Sequence, residues 1–469
     1  MKDGLSRRDF FSGAAALGIS AVSSMVKNSE AHAAIDVSFP DKFIPPKKDF
    51  MDQYYEGFLE IVRGIRDTQI GNISKAMEKA YELKSKGGRI CSHVNYGHYA
   101  MFAGSRDIPG QPWVLPQGRG DREELDALKK GDFLITNYMY PGTREARERG
   151  VYIVGITNSY VRFYKTPPNG LVSRLMETAL EEVCDLVIDS QVPWDNGLVS
   201  APQIPQFKLC PSTGMANFLV YWACTASLAH LIGTKGKGSS SEPAEQYLNT
   251  AYDRVQMIGT DRPKIDWVAE KWTDLVLGKH YPLLLYGHDQ DVSPYVGTRN
   301  MFVCDANVCA SGSFIADMYG RKEAIPQYGL NVHDVNNRGI VLVCAFTSDN
   351  TDEIKVARNA RNTGSFTVAF CPYGTDGDTS GIRLFKEVDV AFNSYCDESA
   401  GVIAVEGFKE KVSPLGGICG NLIHWMLMAR WTDHMARHGE MPYYWKGFHE
   451  ESGQEYDKAM LPVAQKRGY

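Results

Sequence analysis

Apolar residues follow two spacings that alternate along this chain. Between 50 and 86 they recur every three or four positions, for example at Phe58, Ile61, Val62 and Ile65, and this spacing predicts amphipathic helix. Elsewhere they form short continuous runs such as 151–157, which predict buried strands. Buried strands separated by helices indicate a parallel sheet that is covered by helices on both faces.

The same order of elements is predicted twice. The first half is predicted to contain strands at 89–94, 113–115, 132–136, 151–157 and 185–189 and helices at 50–86, 123–129, 143–149, 175–182 and 212–232. The second half is predicted to contain strands at 282–286, 301–304, 340–344, 366–370 and 388–392 and helices at 265–277, 352–362 and 415–434.

The spacing between elements also repeats. Asp185 precedes Pro211 by 26 residues, and Asp389 precedes Pro414 by 25, so the fifth strand and the last helix of each half are almost equally far apart. This echo predicts a tandem duplication. The predicted organisation is a leader, a first α/β domain, a linker rich in glycine and serine, and a second α/β domain with a C-terminal tail, at 1–33, 34–232, 233–262 and 263–469.

The leader has the features of a twin-arginine export signal. Arg7 and Arg8 precede a weakly apolar stretch at 13–26, and Ala31 and Ala33 are the small residues that a signal peptidase reads. We therefore expect a mature chain that begins at Ala34 and is periplasmic or otherwise exported through the twin-arginine route. Beyond the leader no 18 uninterrupted apolar residues occur, so no membrane span is expected in the mature chain.

Composition narrows the choice of partners. The chain is 43% hydrophobic and 23% charged, with a formal net charge of −6 and no basic block, which argues against nucleic acid or anionic membrane as a partner. Its 10 cysteines form no CxxC pair. Because a twin-arginine substrate folds in the reducing cytoplasm, most of them are expected to be small buried thiols. The redox state of the close pair Cys304 and Cys309 is left open.

Several segments carry motifs of one known family. Arg361–Gly364 precedes an apolar strand like an ARxxG helix end, and Cys184–Asp189 is similar to an ADVVID strand. Asn95–Tyr99 lies where a GxGxS loop would occur, and Phe346–Glu353 aligns with an SxSGxTxE loop. Through these motifs, most of 50–469 resembles the sugar isomerase (SIS) domain family in a two-domain form. The resemblance implies two SIS-like domains, each a three-layer α/β/α sandwich, packed as an intrachain pseudo-dimer.

The phosphate loop departs from the family pattern. Phe346 replaces its first serine and Asp349 replaces its glycine, whereas Ser348, Thr351 and Glu353 match. A phosphate is bound by backbone N–H groups and small hydroxyls at a helix N-terminus. A carboxylate at 349, expected in a partly buried site, would repel it. Phosphorylated sugars are therefore predicted not to be the preferred ligand.

Candidate site residues lie just after strands, because ligands of open α/β sheets bind beyond the carboxyl ends of strands. SIS isomerases move a proton between C1 and C2 of an open-chain sugar, with a carboxylate or a histidine as acid and base. The resemblance and these positions assign catalysis to His98, His288 and Glu406. They assign ligand binding to His93, Asn95, Gly97, Thr347, Ser348, Thr351 and Glu353.

Some of these residues have simpler interpretations. Ser348 and Thr351 could serve only to cap the helix that follows them. His93 and His98 could bind a metal, but the sequence supplies no third fixed ligand, and no metal site is predicted. No GxGxxG motif follows a strand, and no cofactor is predicted.

His434 and His438 lie four residues apart on the last helix, as zinc-binding pairs do. Nothing around them resembles an HExxH motif, and they fall at a polar helix end. We expect them to be solvated or to compensate the helix dipole rather than to bind metal.

The sequence therefore predicts an exported protein that acts on a sugar or sugar derivative by aldose–ketose isomerisation or a related proton abstraction. The alternative is a non-catalytic carbohydrate-binding protein that kept the fold. In both, the partner is a small-molecule sugar and not nucleic acid. Homodimerisation is left open.

Export is expected to depend on the arginine pair. Changing Arg7 and Arg8 to lysine should leave precursor in the cytoplasm, because the twin-arginine route selects the guanidinium pair. Immunoblots of fractionated cells would measure this. Normal amounts of mature protein outside the cytoplasm would contradict the assignment.

Overall fold

The computed structural model describes residues 43–94, 114–115, 122–137, 139, 142–157, 180–193, 197–202, 204, 208–281, 283–286, 339–345, 347–349, 351–373, 381–396, 401–442, 444 and 459. The leader and the predicted strand at 301–304 lie outside these residues. So do the candidate residues Asn95, Gly97, His98 and His288 and the pair Cys304 and Cys309.

The described helices are α1 (Phe50–Thr68), α2 (Ile70–Ser85), α3 (Arg122–Asp126), α4 (Thr143–Glu148), α5 (Thr213–Gly233), α6 (Ser241–Gly259), α7 (Arg262–Lys279), α8 (Thr351–Asn362) and α9 (Gly416–Arg437). The described strands are β1 (Ile90–His93), β2 (Phe133–Thr136), β3 (Tyr152–Thr157), β4 (Leu186–Asp189), β5 (Gly197–Val199), β6 (Leu209–Pro211), β7 (Leu283–Tyr286), β8 (Ile340–Cys344), β9 (Phe366–Cys371) and β10 (Val390–Asn393).

The strands form two four-stranded parallel sheets and a small antiparallel pair. The first sheet has the order β1-β2-β3-β4, and the second has the order β10-β9-β8-β7. Every pairing within the two large sheets is parallel. The predicted parallel α/β fold is confirmed. The two sheets also agree in strand order and direction, as a duplication requires, although the duplication itself stays a prediction.

Each sheet is covered on both faces. The inner faces of both sheets pack against one shared hydrophobic core, to which α1, α2, α5, α6, α7 and α9 contribute. The outer face of the first sheet packs against α3 and α4. The outer face of the second sheet packs against α8. The two halves therefore share a central helical layer.

Helices α5 and α9 belong to this layer because they are apolar on almost all sides. Residues 214–229 of α5 and 417–429 of α9 are buried without interruption. A helix that is hydrophobic all round is stable in water only where other elements cover it. Within the described residues, α5 alone has the length and hydropathy to cross a membrane, and 89% of its most apolar stretch is buried inside the protein.

Polar contacts between the halves add specificity to this core. The Ser413 hydroxyl donates to the carbonyl of Trp222 on α5 at 2.7 Å. The Tyr247 hydroxyl donates to the carbonyl of Pro414 at 3.1 Å. Because buried polar groups are costly when unpaired, these contacts favour one arrangement of the loop before α9 against α5 and α6.

The single helix predicted over 50–86 is two helices, divided at Gln69. The Gln69 N–H still donates to the carbonyl of Ile65, but its own carbonyl accepts from Asn72 and Ile73 and begins α2. Its side-chain oxygen accepts the backbone N–H of Asp189, at the end of β4, at 2.9 Å. The apolar spacing continues through the break, so periodicity alone could not reveal it.

The predicted linker at 233–262 is mostly helical. Helix α6 occupies residues 241–259, and its Tyr247 and Leu248 are fully buried in the shared core. Before it, the Ser227 hydroxyl donates to the carbonyl of Ser240 at 2.6 Å. Most of 233–262 is therefore regular helix packed into the core, and the glycine- and serine-rich part is limited to 233–241. The domain division near it stays a prediction.

Two smaller expectations also differ from the structure. Val114 and Leu115 form a bend instead of the predicted strand. The antiparallel pair β5–β6 was not predicted, because its three-residue strands are too short to show a period. Seven cysteines have described side chains; none of these seven forms a disulfide and six are buried, as expected for small buried thiols.

His424 is a buried titratable group inside α9. It is 2% exposed and packs edge-on against Trp425, with ring centroids 5.1 Å apart. Burial lowers the pKa of His424 from 6.5 to about 3. The folded state holds this imidazole neutral, whereas the unfolded chain protonates it below about pH 6.5. The contribution of His424 to the free energy of unfolding is therefore complete above pH 6.5 and is lost as the pH falls toward 3.

We expect the free energy of unfolding to decrease as the pH falls from about 6.5 to 5, with His424 contributing a slope of up to about 1.4 kcal/mol per pH unit. His424→Leu should remove that part of the slope, whatever its effect on total stability. Urea unfolding at a series of pH values would measure it. His438→Gln, at an exposed position just after the same helix, is the control, and equal slopes in wild type and His424→Leu would contradict the assignment.

Candidate functional site

The segment between β8 and α8, here called the Ser348 turn (residues 347–349), lies at the carboxyl end of a parallel strand. Ser348 is fully buried, and its carbonyl accepts the N–H of Leu384 at 2.6 Å. Thr347 is half-buried and Thr351, the first residue of α8, is exposed. The turn therefore leads into a helix N-terminus, where backbone N–H groups lack intrahelical partners.

Arg383 reaches the Ser348 turn from the chain segment after β9. Its Nη1 lies 3.5 Å from the Ser348 hydroxyl and 3.8 Å from a carboxylate oxygen of Asp349. The Arg383 side chain is 14% exposed, whereas that of Asp349 is 62% exposed. The expectation that Asp349 is partly buried is therefore wrong. Water and a guanidinium both weaken the repulsion that this carboxylate would exert on an anion.

Glu353 and Glu406 differ sharply in their surroundings. Glu353 is fully buried in the first turns of α8, so the carboxylate predicted to contact a ligand lies inside the protein. Glu406, predicted to be catalytic, is exposed. Its carbonyl lies so close to Gly233, at the end of α5, that a side chain at 233 would clash with it. The glycine thus permits the Glu406 loop to approach the first half.

His93, the last residue of β1, lies in a cluster with Cys91 and Glu124. The His93 Nε2 atom is 3.3 Å from Cys91 Sγ and 3.2 Å from a carboxylate oxygen of Glu124. Cys91 Sγ is 3.7 Å from the other carboxylate oxygen. Cys91 and His93 are buried, whereas the Glu124 side chain is 30% exposed. One ligand atom from each residue lies within 4.8 Å of the others, so the three could hold a metal ion.

Local structure explains this cluster. Residues 91 and 93 are two apart on a strand, so their side chains point to the same face, which is the outer face of the first sheet. There α3 covers the sheet through the buried Leu125 and brings Glu124 to the strand. Burial, and next the charge of Glu124, raise the pKa of the Cys91 thiol, so the isolated cluster holds it protonated.

The ring nitrogens of His434 and His438 contact different partners. The His434 Nε2 atom lies 2.8 Å from Asp266 on α7, and the His438 Nδ1 atom lies 3.0 Å from the carbonyl of His434. Burial alone would raise the pKa of Asp266, but hydrogen bonds from Arg430 and His434 outweigh it and lower that pKa. The expected polar role at the end of α9 agrees with these contacts.

Three residues of these sites were missed by sequence reasoning. Cys91 had a readable signal, since it precedes His93 by two positions in a predicted strand. Glu124 and Arg383 had none, because they lie 31 and 35 residues from His93 and Ser348 and reach them only through tertiary packing. Of the predicted residues, the structure brings Thr347, Ser348 and Thr351 together along one stretch of chain and places His93 in a separate cluster.

No known family model matches this chain, and no curated protein matches it in sequence. Its fold is similar to that of a candidate phosphosugar isomerase from Silicibacter pomeroyi, with 12% identity, 84% of this chain and 99% of that chain covered and a TM-score of 0.43. A candidate sugar-binding protein from Salmonella typhimurium is similar with 12% identity, 81% and 99% coverage and a TM-score of 0.42.

The C-terminal domain of glucosamine-fructose-6-phosphate aminotransferase from Francisella tularensis is similar with 11% identity, 81% and 98% coverage and a TM-score of 0.39. Likeness at these identities and scores assigns neither a reaction nor a ligand to this chain. The function has to be argued from its own residues.

Proposed function

We propose that the protein binds a sugar or sugar derivative at the Ser348 turn. The observation that carries the proposal is the position of Arg383, held beside the buried Ser348 hydroxyl and the exposed Asp349 carboxylate at the carboxyl end of β8. Ligands of parallel α/β sheets bind at this end of the strands. The motif resemblance of 346–353 to a sugar-phosphate loop supports the same place.

The chemistry of the turn suits a molecule rich in hydroxyl groups. A carboxylate accepts hydrogen bonds and a guanidinium donates them in a fixed planar geometry, so neighbouring sugar hydroxyls can use both. The exposed Thr351 and the half-buried Thr347 add hydroxyls that donate and accept. Ser348 is buried and acts on the ligand through Arg383 rather than by contact.

Asp349 still favours a neutral or cationic sugar over a phosphorylated one. Its negative charge is solvated and partly offset by Arg383, so the expected preference is smaller than a buried carboxylate would impose. The preference for unphosphorylated ligands therefore stays a prediction.

Aldose–ketose isomerisation is the reaction we propose for such a ligand. It needs an acid or base beside C1 and C2, a role for which the sequence favours His98, His288 and Glu406. The second candidate, binding without catalysis, is favoured by one observation: Glu406 is exposed, whereas enzymes commonly tune a catalytic carboxylate by burial and neighbouring charges. Export through the twin-arginine route is part of the same proposal.

Binding at the Ser348 turn should depend on Arg383. In isothermal titration of matched sugars with and without phosphate, Arg383→Met is expected to weaken the tightest ligand about tenfold or more, because a charge-assisted hydrogen bond is lost. Ser348→Ala should weaken it less. Thr363→Val is the matched control, since it removes a hydroxyl just beyond the other end of α8.

Unchanged affinity in Arg383→Met would place the ligand elsewhere. Clear binding of a sugar phosphate without binding of its unphosphorylated parent would overturn the predicted preference. Catalysis is tested separately, by exchange of the C2 proton with deuterated water in the bound sugar, followed by NMR. Exchange that is lost in Glu406→Gln supports isomerisation, and binding without exchange supports the second candidate.

A further inference from the structure

The cluster of Cys91, His93 and Glu124 lies apart from the Ser348 turn, on the outer face of the other sheet. Its three side chains differ chemically, yet their ligand atoms converge. Cys91 Sγ and Glu124 Oε2 both approach the same atom, Nε2 of His93, at 3.3 and 3.2 Å. A common point therefore lies near all three.

The alternative is a nucleophilic triad of cysteine, histidine and glutamate. In such a triad the histidine links its partners through its two different ring nitrogens, one facing the nucleophile and the other the carboxylate. Here both partners face Nε2, so the carboxylate cannot orient the ring while the other nitrogen accepts the thiol proton.

The spacing instead fits the edges of a coordination tetrahedron. Sulfur, nitrogen and oxygen ligands at about 2.0–2.3 Å from a tetrahedral zinc ion lie about 3.3–3.6 Å from one another. The Sγ–Nε2 and Nε2–Oε2 separations are 3.3 and 3.2 Å, close to two such edges, and Sγ lies 3.7 Å from the other carboxylate oxygen, Oε1. Because one ligand atom from each residue already lies within 4.8 Å of the others, a small shift of the Glu124 carboxylate would close the three around one ion.

We propose that Cys91, His93 and Glu124 bind one zinc ion, with a fourth coordination position open to water or a small ligand. Thiolate, imidazole and carboxylate are the ligand types of zinc sites, and a thiolate disfavours magnesium and calcium. The thiolate and the carboxylate together balance the charge of a divalent ion. On binding, the thiol proton passes to the solvent and a sulfur–zinc bond forms.

The scaffold suits such a site because it fixes the ligands before the ion arrives. Cys91 and His93 pair with Leu134 and Thr136 of β2 in register, and the Thr136 hydroxyl donates to the carbonyl of His93 at 3.1 Å. Glu124 is the one ligand with a partly exposed side chain, so it marks the side by which an ion can enter and at which the fourth position opens.

Zinc binding can be tested with the full chain, after chelator treatment and without any histidine tag. Titration with zinc alone should give one ion per chain. Cobalt in its place should give a thiolate-to-metal charge-transfer absorption. Cys91→Ser should abolish that absorption, and both Cys91→Ser and Glu124→Gln should weaken zinc binding by about 100-fold or more, since even outer-shell changes cost 10–100-fold.

Cys184→Ser is the matched control. Cys184 packs against the buried apolar residues of the same outer face but is not one of the three proposed zinc ligands. It should leave the stoichiometry, the affinity and the cobalt spectrum unchanged. If Cys91→Ser does not fold, Glu124→Gln, at the exposed edge, decides the question alone. Failure of the wild-type protein to bind zinc, a cobalt spectrum without the thiolate absorption, or equal affinity in Glu124→Gln would each overturn the proposal. None of these outcomes depends on sugar binding.

Discussion

The structure depends on the burial of a helical layer that both halves share. Residues 214–229 of α5 and 417–429 of α9 have no polar face with which to meet water, so both stretches must be covered. The inner faces of both sheets supply part of that cover, and α1, α6 and α7 supply more. The hydrophobic effect is non-directional, and specific contacts such as Ser413 to Trp222 then favour one arrangement among those that bury the same surface.

This layer decides where chemistry can occur. Both faces of each sheet are covered, so polar side chains gather near the ends of strands. The Ser348 turn uses the carboxyl end of β8, where a strand stops and a helix begins. The cluster of Cys91, His93 and Glu124 uses the outer face of β1 under α3. The two sites are thus built by different layers, and their chemistry differs accordingly.

A group of ion pairs around Arg430 also holds helices of this layer together. Arg430 on α9 donates to Asp266 and to the fully buried Asp433, and it lies 3.9 Å from Asp49, just before α1. Asp433 is the fully buried member, and removing Arg430 would leave it with Arg437 alone as a cationic partner, which is more costly than losing a surface ion pair. These contacts join α7, α9 and the start of α1 at one place, so the polar groups reinforce the arrangement that apolar burial favours.

The sequence by itself determined the class of fold and most of its elements, because the spacing of apolar residues is a local property. The strands of both sheets at 90–93, 133–136, 152–157 and 366–371 fall within a residue or two of their predictions. It could not place the break at Gln69, where the side chain accepts a hydrogen bond from Asp189 in a distant part of the chain. Nor did it predict the helix at 241–259, whose Tyr247 and Leu248 are buried in the shared core behind a stretch of glycines and serines.

For the candidate sites, what the sequence could predict differs more clearly from what it could not. Sequence reasoning found His93 and Ser348, because each follows or ends a predicted strand. It missed Glu124 and Arg383, which complete the two sites, and it misjudged the environments of Asp349 and Glu353. Burial and proximity across more than 30 residues are consequences of packing, which no local pattern records. The residue types that could do chemistry are therefore readable in the sequence, whereas their partners and their exposure to solvent are decided only when α3, α8 and the segment around Arg383 pack onto the sheets.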